Sequence, residues 1–197
     1  TEMRSMIAGF AVALCAALGL AGFGGDAAAA MSAKDKNKAR TEVRKASKNT
    51  LGALYKAVPA ACKVVENSAG YATFSNFGMK IFVAGGGSGK GLAVNKKSGK
   101  ETFMKMAEVQ AGLGFGIKKF RVVWVFANEN ALNQFISSGW EAGGQATAGA
   151  KAGGKGDAYQ GAVSVAPGVW LYQLTDSGAA LELTAKGTKY YKDDDLN

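Results

Sequence analysis

The stretch that most constrains this chain runs from Gly70 to Val94. There, two apolar, β-prone runs flank a glycine cluster, Gly85-Gly86-Gly87-Ser88-Gly89-Lys90-Gly91. Phe74, Ile81, Phe82 and Val83 are strand formers, and Leu92-Ala93-Val94 closes the segment. Asn95-Lys96-Lys97-Ser98-Gly99 is a turn by composition. Glycine this dense inside a strand pattern bends a sheet sharply, or lets another backbone or a ligand come close. A strongly curved or barrel-like sheet is the expectation.

The same cluster looks at first like a phosphate-binding loop. That pattern needs Gly five residues before its Gly-Lys pair and Ser or Thr directly after it. Ala84 and Gly91 stand at those positions, and the residues that follow read as strand, so nucleotide hydrolysis is not supported. Gly112-x-Gly114-x-Gly116 lacks both the dinucleotide-binding spacing and a following helix. The 197 residues include no His, which removes every Ser-His-Asp triad, Cys-His dyad and His-ligated metal site. Glu101, Glu108, Glu129, Glu141, Asp157, Asp176 and Glu182 form no recognisable catalytic pair. No enzyme, cofactor or metal is expected.

Residues 1–30 read as an export signal: Arg4 is a short basic start, and Met6 to Leu20 is an apolar run too short to span a bilayer comfortably. Ala28-Ala29-Ala30 supplies a cleavage pattern before Met31. Leu20-Ala21-Gly22 also looks like the start of a bacterial lipobox, whose next residue must be Cys, and Phe23 stands there instead. Two readings stay open, a lipoprotein signal with its cysteine replaced and an ordinary secretory signal. Both place the product in a bacterial envelope, anchored to the outer membrane or periplasmic. Cys62 is then the only remaining thiol, makes no internal disulfide, and is expected to act as a small buried hydrophobe among Ala60, Ala61, Val64 and Val65.

Residues 31–197 are expected to form one α+β domain of mainly antiparallel sheet, packed with a long N-terminal amphipathic helix and one or two short helices. At about 100° per residue, Ala39, Val43, Ala46, Thr50, Leu51, Leu54 and Val58 share one side of a helix over 32–58, with Ser32 as its cap. Lys34, Lys38, Lys45 and Lys56 cluster on the opposite side. Pro59 opens a short helix to about Glu66. Residues 103–117 alternate with a period of two, and Phe120 to Phe126 is a buried strand by composition. Asn128 caps a short helix holding Leu132, Phe135 and Ile136, which Gly139 ends. The stretch 140–156 reads as a further small-residue strand and turn. Tyr159–Val165, Val169–Leu174 and Ala180–Leu183 read as hairpin strands, with Asp176-Ser177-Gly178 as a turn. Lys192-Asp193-Asp194-Asp195 reads as a frayed polar end.

The formal charge is +9, and nine Lys/Arg stand between 34 and 63 against Asp35 and Glu42. Such a helix face is either merely solvated or a patch for anionic headgroups or nucleic acid. Its buried side is largely Ala, Val and Leu, which suits packing on a sheet better than insertion into a bilayer. A single-strand binder would interleave aromatics with cations on an exposed face. Lys80-Ile81-Phe82 and Lys119-Phe120-Arg121 are the only hints of that, so no nucleic-acid partner is expected.

Residues 59–192 resemble the SYLF domain. The resemblance lies in the order of Pro59, Ala61-Cys62-Lys63, Gly70-Tyr71-Ala72-Thr73-Phe74 and the 85–91 glycine cluster, then Phe115-Gly116, Val123–Phe126 with Leu132 and Phe135, and Tyr190-Tyr191. Ser75-Asn76 departs from it, since Pro often follows the first strand in that family. The resemblance implies noncatalytic binding of anionic phospholipids, such as phosphoinositides, in a bacterial envelope lipoprotein. The alternative is a structural or host-interaction envelope protein that binds another protein. The residues expected at lipid headgroups are Lys34, Lys38, Arg44, Lys45, Lys48 and Lys56 on the helix, then Lys63, Lys80, Lys90, Lys118, Lys119 and Arg121. The glycine stripes would admit an acyl chain or the amphipathic helix, or else serve tight helix-on-sheet packing.

Overall fold

A computed structural model describes residues 31–75, 86–109, 121–141, 161–175, 178–180 and 188–197. The signal segment, the Ile81–Val83 run, the glycine stripe after Gly112 and the small-residue stretch after Glu141 lie outside them.

Helix α1 spans Ala33–Ala57, and the Ser32 hydroxyl accepts a bond from the Asp35 N–H at 3.1 Å. Helix α2 covers Ala61–Asn67, starting after a turn at Pro59 and Ala60 rather than at the proline itself. Three strands follow as a meander: β1 Gly70–Ser75, β2 Gly86–Asn95 and β3 Glu101–Val109. Asn95 forms the β2–β3 turn by accepting from the N–H groups of Lys97 and Ser98. Strand β4, Arg121–Phe126, pairs with the other side of β1. Helix α3, Glu129–Ser138, is capped by Asn128, whose side chain accepts from the Ala131 N–H at 2.9 Å. Gly139 ends it at φ +71°, a backbone conformation that favours glycine. Strands β5 (Trp140–Glu141), β6 (Val163–Ala166), β7 (Val169–Thr175), β8 (Gly178–Ala180) and β9 (Thr188–Lys192) complete one antiparallel sheet. Its order is β5-β9-β3-β2-β1-β4-β7-β6, with β8 also on β7. The fold is the expected α+β arrangement. Gly178, read as part of a turn, instead pairs with Thr175.

The sheet curls, and its aromatic contacts show how far. Trp124 on β4 and Tyr190 on β9 are four strands apart, about 19 Å in a flat sheet. Their ring centroids are 5.1 Å apart. Phe74 on β1 meets Tyr190 at 4.7 Å, and Trp124 meets Trp140 at 5.4 Å. The concave face therefore closes on itself around Phe74, Met104, Met106, Trp124 and Tyr190, with Leu132 and Phe135 of α3 packed into it. Glycine in β2 makes room for this. A side-chain carbon at Gly91 would collide with the Phe74 ring and the Thr73 carbonyl, and one at Gly89 would collide with Met106. At these two positions the stripe serves packing by the chain's own side chains.

The opposite face carries α1 and α2. Leu54, Val58, Ala61 and Val65 pack on Val123, Val125, Tyr172 and Leu174, while Ala39 and Val43 pack on Leu92, Phe103 and Leu196. Three expectations fail here. Ala46 is exposed, and Ser47 takes the buried position, its Oγ accepting from Thr73 Oγ1 at 2.8 Å. Cys62 is half-buried rather than sealed in, because it lies on the side of α2 where its thiol reaches Glu66 Oε1 at 3.4 Å. That bond pushes the thiol pKa up, which makes it a poor nucleophile near neutral pH. The end of the chain is not frayed. Asp193 and Leu196 are each 1% exposed. The Asn197 side chain also accepts from the Phe103 N–H and donates to the Phe103 carbonyl.

Candidate anion-binding face

Burial of Ala39, Val43, Ser47, Thr50 and Leu54 fixes how α1 is rotated on the sheet. At helical spacing that turns Lys34, Lys38, Lys45, Lys48 and Lys56 outward, and all five are exposed. From Lys34 to Lys56 the row is about 33 Å long. The other residues of this arc, Thr41 and Gly52, are small, and no large apolar side chain interrupts it. Among the described residues, none of the five ammonium groups has a carboxylate within ion-pair distance.

The remaining predicted cations do not join this row. Arg44 turns toward the sheet, where its Nε donates to Glu101 Oε2 at 2.7 Å. Lys63 is exposed on α2. Lys90 lies half-buried on β2 opposite Lys105 and close enough to Asp195 to help hold that carboxyl below its usual range, after the larger effect of Lys105. Arg121 is half-buried at the start of β4, in register with Ser75 and Leu174. Lys80, Lys118 and Lys119 lie outside the described residues. Lys96, Lys97 and Lys105 are occupied structurally: Lys96 caps α2 through the Val65 and Glu66 carbonyls, Lys97 pairs with Glu129, and Lys105 bridges Asp193 and Asp195.

Two clefts flank this frame. One, of about 670 Å³, opens between α3 and the β6–β7 turn and is lined by Phe126, Phe135, Trp140, Val165 and Val169, with Lys189 beside them. The other, of about 660 Å³, lies beside α1 at the start of β3. Sequence reasoning missed Arg40, Lys100 and Lys192, which line this second cleft with Arg44. They are far apart in the chain, and only the β3–β9 pairing and the tied-down end bring them together.

Among the described residues, no group of three His, Cys, Asp or Glu side chains is placed to hold a metal ion. Nor is any described helix long and apolar enough to cross a membrane. No family model matches the chain. It is similar to a curated protein named Beta cell expansion factor A, from Aeromonas veronii, at 29% identity over 168 residues. The matched region covers 84% of this chain and 62% of the relative's length.

Proposed function

We propose that this chain is a noncatalytic module that binds anionic phospholipid surfaces through the outward lysine row of α1, as a SYLF-type domain of an exported bacterial envelope protein. The observation that carries the reading is the row itself: five exposed ammonium groups, unpaired among the described residues, on one face of a helix whose other face is committed to the sheet. Each cation near an anionic leaflet contributes about 1 kcal/mol, so the row supplies about 5 kcal/mol at low salt. That attraction decays over about 8 Å at physiological ionic strength. With no large apolar residue on the arc, the protein rests on headgroups without inserting.

Co-sedimentation of the full chain with vesicles tests this. Binding to phosphatidylglycerol or cardiolipin vesicles, absent on phosphatidylcholine and lost at high salt, is expected. The Lys38→Glu/Lys45→Glu variant abolishes it. Retained binding in that variant, or none in the parent protein, removes the reading. The name of the Aeromonas relative, which refers to beta cells, favours a second reading in which the basic face meets a host surface or protein. A host-protein partner captured by the parent chain and lost in the lysine reversals, with no binding of the parent chain to anionic vesicles, would favour that version.

A further inference from the structure

The cleft between α3 and the β6–β7 turn differs in kind from the basic surfaces, because its mouth is balanced in charge. Its walls are apolar: Phe126, Phe135, Trp140, Val165 and Val169. Four of these belong to the buried cluster of the concave face, and Trp140 packs against it. Core packing therefore sets the shape of the cleft. Gly139 brings the Trp140 wall into place. Its φ is +71°, and a side-chain carbon there would collide with the Tyr190 carbonyl, so β5 meets β9 directly where α3 ends.

The charged side chains lining the mouth are Glu141 and Lys189. They stand directly opposite each other on β5 and β9, which puts their Cβ atoms about 4.5–5.5 Å apart. Both are exposed, and among the described residues neither takes part in an ion pair. The end of α3 adds to the negative side. Ser138 and Gly139 line the cleft, and a helix leaves its last carbonyls without partners of its own. No basic residue in that last turn offsets them. An ammonium is favoured beside Glu141 and the helix end, and a carboxylate beside Lys189.

A ligand that fits has an apolar body and both signs of charge close together. A polyanion would meet Glu141 and the helix end, and a purely apolar molecule would leave both charges unused. The cleft volume of about 670 Å³ falls in the range of small-molecule sites.

We infer that this cleft binds a small zwitterion with an apolar body, of the class of a large neutral amino acid or a short apolar peptide. The body packs on the aromatic and valine walls. The ammonium donates to the Glu141 carboxylate, and the carboxylate accepts from the Lys189 ammonium. Nothing in this depends on the lysine row of α1 or on a membrane.

The experiment is calorimetric titration of the full chain with phenylalanine and with phenylalanyl-phenylalanine. Two analogues that each lack one charge, phenethylamine and hydrocinnamate, serve as comparison. Saturable binding of a zwitterion is expected, with both analogues about tenfold weaker or more. Tighter binding of the amino acid assigns the site to free amino acids, and tighter binding of the dipeptide assigns it to short peptides. In Glu141→Gln the zwitterion loses its advantage over hydrocinnamate but keeps it over phenethylamine, and Lys189→Gln shows the reverse. Both residues are exposed, and an unchanged urea midpoint confirms that each variant is folded. No saturable binding of either zwitterion at millimolar concentration overturns the inference. So does an analogue that binds as tightly as the zwitterion, since the cleft would then read only the apolar body. Parental selectivity in both variants also overturns it, because the charges at the mouth would then play no part.

Discussion

The concave face of the sheet and the outward face of α1 use the same residue type to opposite ends. On the concave face, Gly91 is glycine because Phe74 and the Thr73 carbonyl already fill the space where a side chain would begin. On α1, Gly52 has nothing within 4 Å of that position and sits among lysines. The first glycine is required by packing and the second is not. Partners follow the same division. Phe74, Trp124, Phe135, Trp140 and Tyr190 pack against one another in a ring cluster, while Lys38 and Lys45 reach only solvent among the described residues. A closely packed face explains stability, and an open charged one is where an outside partner gains most.

Substitutions should separate these roles, with the largest effect on the concave face. Gly91→Val places two methyl groups inside the Phe74 ring and beside strand backbone, and should cost about 3 kcal/mol or more. A urea midpoint near that of the parent protein would refute the packing account. Trp124→Ala removes the fully buried ring that touches Phe135, Trp140 and Tyr190, and should cost about 3–5 kcal/mol in the same assay. Lys38→Glu/Lys45→Glu should leave stability within about 0.5 kcal/mol, because both side chains are exposed, while vesicle binding falls more than tenfold.

A smaller effect concerns the end of the chain. Burial pulls the Lys105 ammonium pKa down, but its hydrogen bonds to Asp195 and Asp193 outweigh this and leave it raised. The Lys105 bond in turn holds the Asp195 carboxyl below the usual range. A depressed carboxylate contributes stability above its unfolded value of about 3.9, and loses it as pH falls through the lower folded value. A raised ammonium contributes below its unfolded value of about 10.4, and loses that only in strong alkali. The urea midpoint should therefore drop on acidification below about pH 4, with a shallower acid slope in Lys105→Met. An unchanged slope would show that the bridge does not hold the end of the chain. The smallest effect belongs to Gly52→Ala, which should stabilise α1 by about 0.5–1 kcal/mol without altering vesicle binding.

Features set by neighbours in sequence were legible from the chain alone. Ser32 and Asn128 cap their helices, Gly139 ends α3, and Asn95 builds its turn, each through contacts within a few residues. Features set by distant partners were not. Helical spacing could not exchange Ala46 for Ser47, because the deciding bond comes from Thr73 on β1. A run of aspartates gave no sign that Asn197 would clasp Phe103, or that Lys105 would meet Asp193 and Asp195. The same limit applied to the cations. Charge counting found the basic helix, but only the packing of α1 separated the outward lysines from Arg40 and Arg44, which turn to Phe103.

The most direct test of the central claim, that α1 meets the membrane with its lysine face, is a contact measurement. A fluorophore at Gly52→Cys, in a chain lacking Cys15 and Cys62, would be mixed with anionic vesicles carrying headgroup nitroxides, and compared with one at the exposed Asn133 of α3. The account predicts quenching at position 52, reversed by salt, and none at position 133. Quenching at 133 with none at 52 would contradict it.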